Sequence, residues 1–276
     1  MLTHARACCP RALPSCLNNQ VSVPPCINDM LIGPCIGTYL SSCTSDAAKV
    51  IDNSFDHGIT GIDSAEHYAN GDVEQWLGSN INLKNKLIIS KVHPKNHYNI
   101  EQSCDASLKR LRIERIDLYL LHWRQNDTDL SAVEDQMLRL RSIGKIREWG
   151  VSNFNINDLN LLKSKPFANQ IENNLLRWYP DLLSVMASRD IVAMGHSTLG
   201  GGKLMMDKIL LGYCNRNKIS PAALAMSWAK SKLPSPIIKS NSLAKLIDSM
   251  VDININEHQM FLRAMENKHA RFQLEQ

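Results

Sequence analysis

From about Met30 the chain repeats one pattern eight times: a short apolar run, a polar residue closing it, then a longer amphipathic stretch. The apolar runs predict strands over Leu31–Ile36, Ile59–Ile62, Leu87–Val92, Ile116–Leu121, Arg147–Val151, Phe167–Glu172, Ile191–Met194 and Ser235–Ile238. Ile116–Leu121 is almost wholly apolar, as a strand covered on both faces must be. The stretches between predict helices over Ser45–His57, Asp72–Leu77, Ile100–Leu111, Leu130–Ile143, Ile156–Leu162, Pro180–Ser188, Lys203–Asn217 and Ser220–Ser231. Ser45-Asp46 supplies a cap, Pro221 a first helical position, and Gly58, Gly78 and Gly144 supply stops. Leu243–Met250 and Glu257–Lys268 close the chain as helices. Eight equivalent strand–helix units in one chain predict an α/β fold, a (β/α)8 TIM barrel over residues 31–276. An open doubly wound sheet fits less well, because no G-x-G-x-x-G follows the first strand. Gly200–Gly202 before Lys203 is no phosphate-binding Walker loop, since the spacing fails and Leu204 stands where Ser or Thr is needed.

Residues 1–30 stand apart, with Arg6, Arg11, several cysteines and no acidic residue before Asp29. Prolines at 10, 14, 24 and 25 break the amphipathic helix that a mitochondrial signal requires, so this stretch reads as an irregular leader. Six of the eight cysteines crowd the first part, without a C-x-x-C pair, and the expectation is reduced thiols, no metal site and a cytoplasmic protein. No apolar run is long enough for a membrane span. A net charge of +4 without a basic, aromatic-interleaved block predicts no nucleic-acid partner.

In such a barrel chemistry sits at the carboxyl ends of the strands. Asp63 follows the second strand, with Tyr68 five residues on. Lys91 ends the third and His122 the fourth, Ser152 and Asn153 follow the fifth, and Gln170 lies in the sixth. His196 and Ser197 follow the seventh and Lys239 the eighth. Singly, each has an ordinary structural use: Asp63 can cap a turn, a lysine can snorkel, a histidine can be a core donor. Together they have a chemical one. A lysine ammonium beside a tyrosine lowers the phenol pKa, an aspartate holds the lysine, and a histidine orients a carbonyl oxygen toward the phenol. A proton donor aimed at a carbonyl needs a hydride donor for the carbon, which no side chain supplies, so a nicotinamide cofactor is implied.

Six stretches carry a resemblance to the aldo-keto reductases over roughly Leu31 to Lys268. They are G-I-D-S-A-E-H-Y (61–68), I-I-S-K (88–91), R-I-D-L-Y-L-L-H-W (115–123), G-K-I-R-E-W-G-V-S-N-F (144–154), N-Q-I-E (169–172) and P-I-I-K-S (236–240). The resemblance implies a catalytic tetrad of Asp63, Tyr68, Lys91 and His122, with Tyr68 as general acid. It implies that Ser152, Asn153 and Gln170 hold the nicotinamide carboxamide, that Ser197 and Leu199 lie along the pyrophosphate, and that Lys239 and Ser240 lie near the adenosine 2′-phosphate. The chain departs from the family in places. His196 stands where a tyrosine usually stacks on the nicotinamide, Lys245 where an arginine usually grips the 2′-phosphate, and Ser249 where Asn or Gln is usual. A lysine keeps the charge and loses the bidentate fork, which predicts NADPH as the preferred cofactor, less strictly, with NADH also usable. Little sequence follows the last helix, so an open, loosely selective pocket is expected, with Tyr39 and Trp123 as aromatic walls and Trp149 a third candidate. The expected activity is reduction of a small-molecule aldehyde or ketone by a monomer. The alternative is a cofactor-sensing regulatory module like the channel-associated subunits that the resemblance also covers.

Overall fold

The computed structural model describes residues 33–39 and 43–273, with side chains as far as 267. The leader over residues 1–30 and the first two residues of the strand expected at Leu31–Ile36 lie outside the described residues, and Gly33 and Pro34 precede the strand instead of belonging to it. The elements in chain order are β1 (Cys35–Gly37), α1 (Ser45–Ser54), β2 (Gly61–Asp63), α2 (Asp72–Asn80), β3 (Leu87–Val92), α3 (Ile100–Leu111), β4 (Ile116–Leu121), α4 (Leu130–Ser142), β5 (Ile146–Ser152), α5 (Ile156–Leu161), β6 (Ala168–Glu172), α6 (Pro180–Ser188), β7 (Val192–His196), α7 (Lys208–Asn217), α8 (Pro221–Lys232), β8 (Ser235–Ile238), α9 (Leu243–Met250) and α10 (Gln259–Gln273). All eight strands are parallel and pair in sequence order, and Cys35 of β1 pairs with Ile237 of β8, so the sheet closes into the expected barrel.

Side chains alternate along a strand, and that period of two positions the site. Cys35, Ile89, Leu118, Leu120, Ala168, Met194 and Ile237 pack together in the barrel interior. Two residues further along their strands the same inward stripe reaches Gly37, Lys91, His122, Gln170, His196 and Lys239. The intervening residues face the helices: Ile62, Ile88, Tyr119, Val151 and Ile171 join a second, larger cluster with the apolar faces of the helices. Trp149 is 1% exposed in that outer layer, so it is core and not a wall of the pocket.

Three local readings change. Helix α1 is capped by Thr44, whose Oγ1 accepts from Ala47 N, one residue before the expected cap. Gly78 does not stop α2, which runs on to Asn80. A Cβ at Gly78 would lie 2.3 Å from the Arg110 carbonyl oxygen, so the glycine lets α2 approach the end of α3. The helix expected over Lys203–Asn217 is two elements. Gly200–Met206 forms a 3-10 segment with left-handed Gly201 and Gly202, and Asp207 then caps α7 by accepting from Ile209 N and Leu210 N.

Glu74 of α2 is fully buried. It accepts from Ser90 Oγ (2.5 Å) on β3 and from Arg110 Nε (2.8 Å) on α3, tying the helix that follows Tyr68 to the strand that carries Lys91.

Candidate active site

Lys91 is buried at the inner end of β3. Its Nζ donates to Asp63 Oδ2 (2.6 Å) and to Ser64 O (2.8 Å). The other carboxylate oxygen of Asp63 accepts from Gln170 Nε2 (2.8 Å), so Asp63 bridges β3 and β6 through the barrel. Lys91 Nζ lies 5.4 Å from the Tyr68 ring centroid. Tyr68 stands on a 3-10 turn, Tyr68–Gly71, in which Ala69 and Asn70 both take positive φ. Asn153 (φ 62°) and Ser197 (φ 55°) take it too, at two other strand ends. Among the described residues, four of the eight non-glycine residues with positive φ thus lie at the mouth of the barrel, two in the turn that carries Tyr68 and two directly at strand ends.

Burial is the largest influence on Tyr68 and raises its phenol pKa; the Lys91 charge and hydrogen bond pull it down without prevailing. The expected lowering of the phenol is therefore overturned, because the desolvation of a nearly enclosed ring exceeds the gain from one ammonium that Asp63 already neutralises. Burial also works against the Lys91 charge, but Asp63 and Tyr68 together outweigh it and Lys91 is raised. At neutral pH the pair is a protonated phenol beside an ammonium. The His122 pKa is lowered to about 2, first by burial and then by the Lys91 charge and the neighbouring imidazoles, so His122 is neutral.

Tyr39, Asp63, Tyr68, His122, Asn153, Gln170, His196, Ser197, Leu199 and Lys239 line one cavity of about 680 Å³. Lys91 lies beneath its floor. Ser152 is buried behind Asn153, donating from Oγ to Gln170 O (2.9 Å) and accepting from Asn153 Nδ2 (3.1 Å). Asn153 Nδ2 also donates to His122 O (3.0 Å), while Asn153 Oδ1 pairs with His196 Nε2 (2.9 Å). The other His196 ring nitrogen is 3.1 Å from Ser197 Oγ.

Other expected residues are placed elsewhere. Trp123 is not among the residues that line the cavity: its half-buried ring packs edge-on against those of His122 and His93 at centroid distances of 4.7 and 4.9 Å. Ser240 does not line it either; its Oγ donates to Ser242 O (2.8 Å) in the turn before α9. Lys245 is exposed in the first turn of α9, and Ser249 is buried, its Oγ donating to Leu246 O (2.6 Å).

A sequence model of the aldo/keto reductase family matches residues 35–267. The chain belongs to the aldo/keto reductase family. Methylglyoxal reductase YeaE of Escherichia coli (strain K12) is 32% identical over 193 residues, 63% of this chain and 66% of that one. Glycerol 2-dehydrogenase (NADP(+)) of Saccharomyces cerevisiae is 30% identical over 230 residues, 70% of this chain and 73% of that one. Among solved structures, an aldo-keto reductase from Klebsiella pneumoniae in complex with NADPH superposes with a TM-score of 0.77 at 26% identity, covering 85% of this chain and 91% of that one.

Sequence reading missed several residues of this aldo/keto reductase that line the cavity. Gly201 and Gly202 were visible as a glycine run but matched no phosphate-loop spacing. His67 lay in plain view beside Tyr68, and nothing in one sequence separates a pocket residue from its neighbour in the same loop.

Proposed function

We propose that this aldo/keto reductase is an NADPH-dependent carbonyl reductase with Tyr68 as the general acid. The observation that carries the reading is the buried series Gln170–Asp63–Lys91 ending beneath Tyr68, with neutral His122 beside it, at the floor of one open cavity. The cavity suits a dinucleotide. At Gly201 and Gly202 a Cβ would meet nothing within 4 Å, and both left-handed glycines leave bare backbone along the wall. Asn153 and Gln170 would hold the nicotinamide carboxamide, with Ser152 orienting Asn153. His196 would flank the ring, Ser197 and Leu199 would follow the pyrophosphate, and Lys239, Ser240 and Lys245 would sit toward the adenosine phosphate. The NADPH-bound Klebsiella pneumoniae neighbour and the NADP(+)-named yeast relative support that choice of cofactor.

When bound, the cofactor supplies a hydride to the carbonyl carbon. His122, neutral and facing the cavity, donates a hydrogen bond to the carbonyl oxygen and fixes it against the phenol. Tyr68 gives that oxygen its proton, and the Lys91 ammonium stabilises the phenolate left behind. Asp63 holds Lys91 charged and in place. Tyr39, half-exposed and 5.1 Å from the Tyr68 ring, forms the outer rim of the substrate end.

The test is NADPH oxidation, and separately NADH oxidation, followed with aromatic and aliphatic aldehydes. Turnover with NADPH, and slower turnover with NADH, is the expected result. Tight nucleotide binding with no turnover of any carbonyl would reject it in favour of a cofactor sensor.

A pH dependence follows. The acid form of Tyr68 is the donor, and a phenol pKa raised above 10 keeps that form populated at every lower pH. His122 stays neutral down to about pH 2. The reductive kcat is therefore expected to be level between pH 6.5 and 10 and to fall only above 10. A fall centred near pH 8 would show that Lys91 lowers the phenol after all.

A further inference from the structure

His196 stands where a tyrosine is usual in the family, and an imidazole, unlike a phenol, can gain a proton near neutral pH. Its hydrogen bonds fix which ring nitrogen carries a hydrogen. Asn153 Nδ2 lies 3.0 Å from His122 O, and a backbone carbonyl only accepts, so that end of the amide is its NH2. The amide oxygen therefore faces His196 Nε2 at 2.9 Å, and Nε2 must donate. In a neutral ring Nδ1 is then bare, and across 3.1 Å it accepts the Ser197 hydroxyl hydrogen. With that hydrogen spent, Ser197 offers only lone pairs to the cavity it lines.

The charges around His196 come largely in pairs. Glu172 at the end of β6 pairs with Arg177 (3.1 Å), and Asp63 of β2 pairs with Lys91 of β3 (2.6 Å). Burial is the largest influence and lowers the His196 pKa; Glu172 and Asp63 pull it up, and Lys91 and Arg177 push it down. His122, which feels a charge on His196, is neutral, and the Lys239 cation lines the same cavity. At neutral pH the empty site therefore holds an uncharged His196.

A diphosphate laid along Ser197 changes that balance, because it accepts hydrogen bonds and donates none. A proton on Nδ1 makes both nitrogens of the ring donors. His196 Nδ1–H then donates to Ser197 Oγ, the hydroxyl hydrogen is released to the cavity, and a cationic ring stands beside the anion. We propose that His196 takes up a proton when the cofactor binds, switching Ser197 from a donor to His196 into a donor to the diphosphate. The inference rests on the cofactor placement in the reductase reading above. The proton comes from solvent, and His196 Nε2 keeps its bond to Asn153 Oδ1 in both states. Linkage is reciprocal, so if binding favours the proton, the proton favours binding. Cofactor affinity is therefore lowest well above the pKa of the bound histidine and rises as pH falls through it. Saturating NADPH hides the effect in kcat, whose level profile stands.

The experiment measures the NADPH Kd by fluorescence quenching at pH 6.0 and pH 8.5, in wild type and in His196→Gln. The glutamine keeps an N–H for Asn153 Oδ1 and cannot be protonated. Titration of the cofactor's own 2′-phosphate is common to both proteins, so it cancels in the ratio of their Kd values. A neighbouring opposite charge raises proton affinity by about ten- to a thousandfold, and part of that gain is reached by pH 6.0. The Kd of His196→Gln relative to wild type is accordingly expected to be about fivefold larger at pH 6.0 than at pH 8.5. Calorimetry at pH 7 in two buffers of different ionisation enthalpy counts the protons directly. Wild type is expected to take up more of them on binding NADPH than either His196→Gln or Ser197→Ala. A relative Kd that changes by less than twofold, or equal proton uptake in the three proteins, overturns the role of His196 and leaves the cofactor reading standing. No NADPH binding by wild type at either pH overturns both.

Discussion

Tyr68→Phe is expected to reduce kcat for aldehyde reduction by about 10³-fold, within the range a general acid contributes. NADPH binding should change little. The substitution keeps the ring that packs against Tyr39, His67 and His122, so the cavity retains its shape. It removes only the phenol oxygen, the one donor next to the Lys91 ammonium that can release a proton to a carbonyl. Lys91 keeps its ion pair with Asp63 and its bond to Ser64 O, so it does not become an unpaired buried charge. Cofactor binding, read by quenching of protein fluorescence on titration with NADPH, separates loss of chemistry from loss of the site. A variant that binds NADPH normally and keeps more than a tenth of the wild-type kcat would place the proton donor elsewhere.

The second large effect is on stability. Glu74→Ala removes a carboxylate with no exposed surface, leaves Ser90 Oγ without its acceptor in the core, and takes from Arg110 its carboxylate partner, leaving it the Ser107 hydroxyl. Breaking a buried pair costs about 3–5 kcal/mol, and the lower end applies because the Arg110 side chain is 24% exposed and can reach water. For a chain of this size about 3 kcal/mol corresponds to a fall in melting temperature of roughly 6–12 °C. Glu74→Gln preserves volume and one acceptor and should lose about half as much. Glu74 does not line the cavity, so kcat at a temperature well below the transition is the control. A loss for Glu74→Ala of under 2 °C would mean that Ser90 and Arg110 find other partners.

The barrel was legible because its cause is periodic. Apolar runs with polar closures recur through the chain, and each strand's inward stripe can be followed from Ile89 to Lys91 or from Leu120 to His122 by counting two. Asp63, Tyr68, Asn153, Gln170 and His196 were legible for the same reason, since the carboxyl ends of the strands converge on one rim. What escaped depends on contacts between elements distant in the sequence. Gly78 looks like a stop until the Arg110 carbonyl is seen against it, and the packing of Trp123 edge-on against His122 and His93 joins rings from two different strand ends. The direction of the Tyr68 pKa was misread because sequence shows the Lys91 charge and not the burial that outweighs it. His67 escaped for a simpler reason: an imidazole beside the acid is indistinguishable from loop filler until its ring edge is seen in the cavity.

The central claim is that a hydride reaches a carbonyl carbon at this site. The most direct measurement is reduction of an aldehyde with NADPH carrying deuterium at the transferable C4 position, followed by mass spectrometry of the product. One deuterium on the carbinol carbon is the predicted result. Alcohol without the label, or no alcohol from a protein that binds the nucleotide tightly, would contradict it.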